Sequence, residues 1–320
     1  MFKDRITRRE ALVAGAAAAV APLVVSPSVS AAEADTAKMY APVAGVSTLG
    51  FGSMTNAEVA EEFAKQGITA TQLFLLQKDS NYWKYNGRAD VSDLDDARCK
   101  AIADTYRSKG IDIHSIGVYT NLIHADEAER AANLAYFDAM MRVGAAMDVR
   151  VFVTEAGHYH PEGPAPAIPY HYQEEVWHRT VATGKELAQL AGKNGATVLI
   201  EPSYRGFFAS AKRTRMFIEE VGSPHVRILL DPANLLELND LDEMFAQLAP
   251  WIDCLHAKDF KLHADRGVGA GQGDLDYDKF VALAATYAPT APFFLEYVGP
   301  SDYLPALALL REAIQRQSKM

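Results

Sequence analysis

The chain has 320 residues and a net charge of −10, with 49% apolar and 22% charged residues. This composition is that of an ordinary globular protein with one large domain or two small ones. The acidic composition argues against nucleic acid as a partner, because binding phosphates needs patches of Lys and Arg, and no such run follows residue 32. Two cysteines do not make a disulfide framework, so we predict that Cys99 and Cys254 are unpaired packing residues.

The first 32 residues differ from the rest of the chain. Arg8 and Arg9 precede an uncharged run rich in Ala and Val, 11–25, and small residues at 30–32 offer a cleavage site. This order predicts a twin-arginine signal peptide over 1–32. A membrane anchor is the alternative, but the apolar run is shorter than the roughly 20 residues of a span. We therefore expect a periplasmic or otherwise exported protein with no stable membrane insertion after processing.

Removal of this leader makes the protein more acidic. The 32 residues carry four basic and two acidic side chains, so the net charge changes from −10 to −12.

From residue 43 onwards, a short apolar run followed by a helical pattern recurs eight times. The predicted strands are 45–51, 68–75, 111–119, 150–154, 197–201, 226–231, 252–256 and 292–296. The predicted helices are 56–65, 93–109, 125–146, 173–193, 210–221, 241–248, 277–287 and 305–315. Eight such units in roughly 250 residues predict a single closed (β/α)8 TIM barrel over 43–317. The alternative, an open doubly wound sheet, usually has a Gly-rich nucleotide turn after its first strand.

Four of the predicted strands end on a side chain that is costly to bury. Glu201, Asp231 and Glu296 end the fifth, sixth and eighth strands, and His256 ends the seventh. A lone histidine in such a place is more often a packing residue than a ligand. In a barrel, however, these strand ends converge on one face, and buried carboxylates need a compensating positive charge. Three carboxylates and one imidazole therefore predict a divalent metal site.

Five short motifs follow one another in order along the second half of the chain. They are LIEP at 199–202, LDPAN at 230–234, LHAKD at 255–259, GQGDLD at 271–276 and LEY at 295–297. With the barrel pattern, they resemble the sugar phosphate isomerase/epimerase superfamily of xylose isomerase-like TIM barrels over about 43–315. The resemblance implies one divalent ion (Mn, Mg, Co or Zn), held by the four strand-end residues.

The resemblance also implies a chemistry for Glu201 and Glu296. A carbonyl and an adjacent hydroxyl that chelate a metal are polarised, which acidifies the C–H between them. Two carboxylates on opposite sides of that carbon can remove and return the proton, so these two residues are the predicted catalytic acid/base pair. We expect a metal-dependent isomerase or epimerase of a sugar or keto-sugar, acting through an enediolate.

Two other functions remain open from the sequence. A lyase or dehydratase shares the first proton abstraction and then eliminates a β-substituent from a keto-sugar, keto-glycoside or inosose. A non-catalytic carbohydrate-binding barrel is the alternative of another class, and the complete ligand set argues against it. In each case the expected partner is a small carbohydrate, and an assembly of identical subunits stays open.

Lys258 and Asn234 are candidate substrate-binding residues next to the predicted ligands. Lys258 follows His256 at i+2 and therefore leans to the same side of the strand, towards either substrate oxygens or a neighbouring carboxylate. Asn234 stands where the epimerases and endonuclease IV of this superfamily commonly have a histidine. The three-zinc cluster of that endonuclease therefore lacks ligands here.

Trp83 and His158 are the candidate substrate-binding residues in other loops. Trp83 either stacks on a sugar ring or packs its own loop. Glu155, His158 and His160 follow the fourth predicted strand and would make a second metal site, but we favour substrate contact for His158. The glycine-rich run 269–273 predicts a flexible loop.

Overall fold

The computed structural model of the protein describes residues 40–161, 168–264 and 266–319, and the predicted signal peptide 1–32 lies outside these ranges. Strands alternate with helices along the described chain. The strands are β1 (Ala44–Ser47), β2 (Ala70–Leu73), β3 (Asp112–Gly117), β4 (Val151–Thr154), β5 (Thr197–Ile200), β6 (Val226–Leu230), β7 (Ile252–Lys261), β8 (Arg266–Gly269) and β9 (Phe293–Leu295). The helices are α1 (Asn56–Lys65), α2 (Asp96–Arg107), α3 (Glu127–Ala146), α4 (Ile168–His171), α5 (Glu174–Lys193), α6 (Ala211–Val221), α7 (Leu241–Leu248), α8 (Tyr277–Tyr287) and α9 (Tyr303–Gln317).

Eight of these strands form a closed parallel barrel. Strands β1 to β7 pair in chain order, β9 pairs with both β7 and β1, and all of these pairings are parallel. Closure leaves no free edge in the barrel. The predicted (β/α)8 TIM barrel is therefore confirmed.

Apolar side chains fill two separate regions on either side of the barrel wall. Inside the barrel, Val153, Leu199, Leu229, Cys254 and Phe294 belong to one buried cluster. A much larger cluster lies between the strands and the surrounding helices. The alternation of side chains along each strand produces this division. The interior cluster forms the floor below the strand ends that carry the candidate site.

Helix starts follow from capping side chains. Helix α1 begins with a capping box, because Thr55 accepts from the Glu58 backbone and the Glu58 carboxylate accepts from Thr55 N. Helices α2 and α3 start later than predicted because Asp95 and Asp126 are their N-caps and accept from backbone N–H groups of the first turn.

The largest difference from the predicted elements is in the seventh unit. Strand β7 continues beyond His256 to Lys261 and turns back as β8, which pairs antiparallel with it. Part of the glycine-rich run is therefore strand. Predicted strand 45–51 also ends early, at Ser47, where a 3₁₀ turn (Thr48–Phe51) begins.

Cys99 and Cys254 are both buried and unpaired, as predicted. In the part of the chain that the structure describes, no helix combines the length and apolar character needed to cross a membrane.

Candidate metal centre and pocket

The four predicted strand-end residues meet at the C-terminal mouth of the barrel. Glu201 follows β5, Asp231 follows β6, His256 lies within β7 and Glu296 follows β9. All four side chains are buried, and one potential ligand atom from each lies within 4.8 Å of the others. This is the geometry of a candidate site for one divalent ion.

A tight turn after β6 orients Asp231. Its Oδ1 accepts a hydrogen bond from Ala233 N at 3.0 Å, at the start of the 3₁₀ turn Pro232–Asn234. Its Oδ2 is buried and has no hydrogen-bond partner among the described residues. One carboxylate oxygen thus holds the turn, and the other is left for the centre.

Gln72, in β2, orients the ring of His256. The Gln72 Oε1 lies 2.7 Å from His256 Nε2. Because a side-chain amide oxygen can only accept, Nε2 carries a proton. This bond leaves Nδ1 facing the carboxylates, 3.3 Å from Glu201 Oε1 and 3.9 Å from Asp231 Oδ2. A fixed tautomer with one nitrogen turned to the centre is typical of a metal-ligating histidine.

Glu201 is held by two side chains. Tyr119, at the end of β3, donates to Glu201 Oε2 at 2.5 Å, and Asn234 Nδ2 donates to Oε1 at 2.9 Å. Asn234 is therefore within the site, where it contacts a predicted ligand. Sequence reasoning missed Tyr119 and Gln72. In the sequence, Tyr119 is only the last residue of predicted strand 111–119, and Gln72 is only a polar residue inside predicted strand 68–75. Neither position signals a contact with the predicted ligands.

Lys258 lies among the carboxylates. Its Nζ is 2.8 Å from Asp231 Oδ2, without the alignment of a hydrogen bond, and it donates to Glu296 Oε2 at 3.1 Å and to Asn234 Oδ1 at 2.9 Å. The same ammonium group lies 4.2 Å from the ring centroid of Tyr297. Of the two sequence-based alternatives for Lys258, the structure shows contact with neighbouring carboxylates.

The charges of the centre shift its pKa values in opposite directions. Burial raises the pKa of Glu201, but the charges of His256 and Lys258 and the hydrogen bonds outweigh it and bring that pKa to about 2. Burial dominates at Asp231 and raises its pKa to about 6. At His256, burial is outweighed by Glu296 and Glu201, which raise the pKa to about 9.

These residues fit a divalent cation. His256 Nδ1 and Asp231 Oδ2 are both buried, both face the centre and both have no hydrogen-bond partner among the described residues. A buried polar atom without a hydrogen-bond partner is costly. A bound cation would satisfy His256 Nδ1 and would add to the ion pair that Asp231 Oδ2 makes with Lys258. Three carboxylates and one imidazole are also donors that Mg²⁺, Mn²⁺, Co²⁺ and Zn²⁺ accept.

A pocket of about 430 Å³ opens above the centre. Loops after every strand of the barrel contribute to its lining. Glu201, Asn234, Lys258 and Glu296 lie on its floor and wall, and the lining includes the other two predicted substrate-binding residues, Trp83 and His158. The four predicted substrate-binding residues, Trp83, His158, Asn234 and Lys258, therefore all line one pocket. Their roles in substrate binding stay predictions.

A second acidic group lies in this pocket. Glu155, just after β4, accepts a hydrogen bond from Tyr85 Oη at 2.6 Å. Burial and the negative charge of Glu201 raise the pKa of Glu155 to about 7. Among the described residues, Glu155, His158 and His160 do not form a second group of metal-type ligands; the ring of His160 packs on Tyr170.

Fold and site together define a class: a TIM barrel with a candidate metal centre at the C-terminal ends of its strands. Residues 60–320 match the model of the xylose isomerase-like TIM barrel family, and the chain belongs to that family. A search of curated proteins finds no match.

Three solved structures illustrate the likeness in fold. A D-tagatose 3-epimerase-like protein has a TM-score of 0.71 and 16% identity, over 86% of this chain and 98% of its own. A probable 3-DHS dehydratase from Bacillus anthracis has a TM-score of 0.65 and 16% identity, over 86% and 98%. A xylose isomerase-like TIM barrel protein from Mycobacterium smegmatis, in complex with magnesium, has a TM-score of 0.64 and 18% identity, over 88% and 97%.

Proposed function

We propose that the protein is a metal-dependent isomerase or epimerase of a sugar or keto-sugar. One observation carries this proposal: four buried metal-type ligands meet on the floor of a pocket that opens to solvent. The epimerase-like and magnesium-bound structures of the same fold support it. The choice among Mn²⁺, Mg²⁺, Co²⁺ and Zn²⁺ is not fixed by the donor set.

Glu201, Asp231, His256 and Glu296 would hold the ion. When bound, a divalent ion supplies Lewis acidity that polarises a substrate carbonyl and its adjacent hydroxyl. Glu201 and Glu296 come from β5 and β9, so they approach a bound sugar from different sides. One carboxylate removes the proton beside the carbonyl, and the other returns a proton to the enediolate.

Lys258 stabilises the negative charge of this reaction. Burial lowers the pKa of Lys258, but Asp231, Glu296 and Glu201 outweigh that effect and hold the pKa well above its usual value. Lys258 therefore remains a cation throughout the neutral range. In the pocket it donates to substrate oxygens on which charge develops, which is the role of an oxyanion-stabilising group.

Glu155 favours a second candidate, a lyase that eliminates a β-substituent. Elimination needs a proton for the leaving oxygen as well as a base for the C–H. Glu155 lines the pocket, is not one of the four clustered ligands, and has a pKa near 7. It is therefore able to supply this proton at neutral pH. The dehydratase of the same fold is consistent with this candidate.

Solvent exchange tests the proposal and separates the candidates. We would incubate the metal-loaded protein with a panel of keto-sugars in D₂O and follow the reaction by NMR. Deuterium at the carbon beside the carbonyl, with an isomer or epimer as product, is expected. An unsaturated product with loss of the β-substituent would instead establish the lyase. Tight binding with no exchange for any sugar would leave a carbohydrate-binding barrel.

We also propose that the protein is exported through the twin-arginine route. Replacing Arg8 and Arg9 together by Lys keeps both charges but removes the guanidinium pair that the export receptor reads. The precursor of this double variant should remain in the cytoplasm, measured by fractionation and immunoblotting. Arg5→Lys, outside the pair, is the matched control. Normal processing of the double variant would refute this route.

A further inference from the structure

The two halves of the barrel mouth differ in chemistry. The clustered ligands come from the neighbouring strands β5, β6, β7 and β9. The loops after β2, β3 and β4 form the opposite half, and they carry aromatic and polar side chains. These residues, here called the aromatic half, are Trp83, Tyr85, Tyr119, Glu155 and His158, and all of them line the pocket.

The rings of the aromatic half form one continuous surface that begins at the candidate metal centre. Tyr119 contacts Glu201 through its hydroxyl group, and its ring centroid lies 6.2 Å from Trp83 and 6.3 Å from Tyr85. Trp83 and Tyr85 lie 6.4 Å apart. Tyr85 is 57% exposed although it is a large apolar ring. A ring surface that runs outward from the reacting centre suits stacking with the C–H face of a sugar.

Polar atoms in this half point to a ligand that carries hydroxyl groups. Trp83 Nε1 is buried and donates to no acceptor among the described residues. A buried N–H without an acceptor costs free energy that a ligand oxygen would recover. The Glu155 carboxyl group, at the end of β4, is hydrogen-bonded to Tyr85 and lines the same pocket. Stacking rings beside an indole donor and a carboxyl group are complementary to a pyranose ring.

We propose that the aromatic half is a second sugar subsite and that the substrates are keto-sugars carrying a second hexopyranose ring. The keto ring lies over the four clustered ligands, and the second ring stacks on Trp83 and Tyr85. This inference rests on the proposed function for the position of the keto ring. The pocket volume of about 430 Å³ is within the range for ligands larger than one sugar ring.

Ketose disaccharides test the subsite by direct binding. The probes are D-fructose and four disaccharides that join a hexopyranose to fructose at three positions: turanose (O3), maltulose and lactulose (both O4) and isomaltulose (O6). Calorimetry on the Mn²⁺-loaded mature protein should show at least one disaccharide binding about tenfold more tightly than fructose. Trp83→Ala should abolish this difference, so that no disaccharide binds to the variant more tightly than fructose does.

Two further variants separate stacking from hydrogen bonding and from a general effect. Trp83→Phe keeps a ring but removes the N–H, and it should retain part of the preference. Trp177→Phe is the matched control, because Trp177 stacks on Phe207 and donates to Glu220, away from the pocket lining. This control should keep the full preference.

The outcomes distinguish this inference from the proposed function. The subsite is overturned if no disaccharide binds more tightly than fructose, or if Trp83→Ala keeps the preference. The proposed function alone fails if a Trp83-dependent preference is present but none of the sugars exchanges a proton in D₂O. If fructose exchanges a proton in D₂O but no disaccharide binds more tightly than fructose, the proposed function stands and the second subsite is refuted.

Discussion

Three residues of the candidate centre, His256, Asp231 and Glu201, are each oriented by a hydrogen bond to a neighbour. Gln72 Oε1 accepts a hydrogen bond from His256 Nε2, and Ala233 N donates one to Asp231 Oδ1. The Tyr119 hydroxyl group donates a hydrogen bond to Glu201 Oε2. Losing such an outer partner typically lowers the affinity of a metal site by roughly 10–100-fold. The same arrangement keeps carboxylate oxygens available for proton transfer.

Glu201 and Glu296 have two proposed roles, as ligands and as proton carriers, and Glu→Gln substitutions separate them. The amide oxygen still coordinates, but it is not a base. Each variant should therefore retain some metal and lose turnover by roughly 10²–10⁴-fold. Metal content and kcat are the measurements, and Glu186→Gln, at an exposed position of α5, is the control. If both variants turned over keto-sugars like the parent while binding metal, the base would have to be another pocket residue such as His158, because Lys258 is held as a cation.

His171 gives stability a pH dependence that is independent of the metal centre. Burial lowers the pKa of His171 to about 4, and its Nε2 accepts from Tyr159 N. Because the folded pKa lies below the unfolded value of about 6.5, this stability is complete above pH 6.5 and is lost as the pH falls through 4. Chemical denaturation at pH 7 and pH 4.5 should show a loss of about 2–3 kcal/mol from this group.

The His171→Gln variant keeps an acceptor near the Nε2 position but does not titrate. Its free energy of unfolding should therefore change less between pH 7 and pH 4.5 than that of the parent. His178→Gln, at an exposed position, should behave like the parent. An equal pH dependence in the His171 variant would rule out this residue as the source.

At the scale of elements, the hairpin formed by β7 and β8 is anchored by Asp259. Its carboxylate accepts from Phe260 N, Gly271 N and Leu275 N at 2.8–3.0 Å. These bonds fix the glycine-rich segment that the sequence predicted to be a flexible loop. Strand β8, which leads into this segment, contributes Gly267 to the pocket lining.

Gly273→Ala should loosen this hairpin. A Cβ at Gly273 would lie 2.1 Å from Asp259 Oδ1 and 2.5 Å from the carbonyl oxygen of Phe260, so the carboxylate or the backbone has to move. We expect a loss of about 1–3 kcal/mol in the free energy of unfolding, measured by chemical denaturation. Gly87→Ala, whose Cβ meets Lys84 at an ordinary 3.4 Å, should change it little. Equal stability of the two variants would show that Asp259 does not constrain the segment.

The elements also show how far the sequence predicts this structure. The barrel and the meeting of Glu201, Asp231, His256 and Glu296 followed from strand order, because parallel strands in a closed barrel end on the same face. Contacts between distant loops did not follow. Gln72 reaches His256 across 184 positions of sequence, and Tyr119 reaches Glu201 across 82. Neither contact leaves a periodic or spacing signal, since both depend on which strands face each other inside the barrel.

At the scale of the whole molecule, the four clustered ligands come from the last four strands of the barrel, on the side where the barrel closes. Strand β7 pairs with both β6 and β9, and β9 pairs in turn with β1. An ion held by ligands from β5, β6, β7 and β9 therefore links four successive strands of the barrel. Because the unfolded chain cannot offer these ligands together, binding free energy is added to the stability of the folded barrel.

Divalent metal should therefore stabilise the whole barrel, with close to one ion bound per chain. At a free concentration of a hundred times Kd, the free energy of unfolding should rise by about 2.7 kcal/mol. Amide hydrogen exchange should slow most in β5, β6, β7 and β9. His256→Ala should lose both effects, whereas Asp253→Asn, a partly exposed partner of Arg227, should keep them. Three bound ions per chain, or full stabilisation of His256→Ala, would contradict a single site built from these four residues.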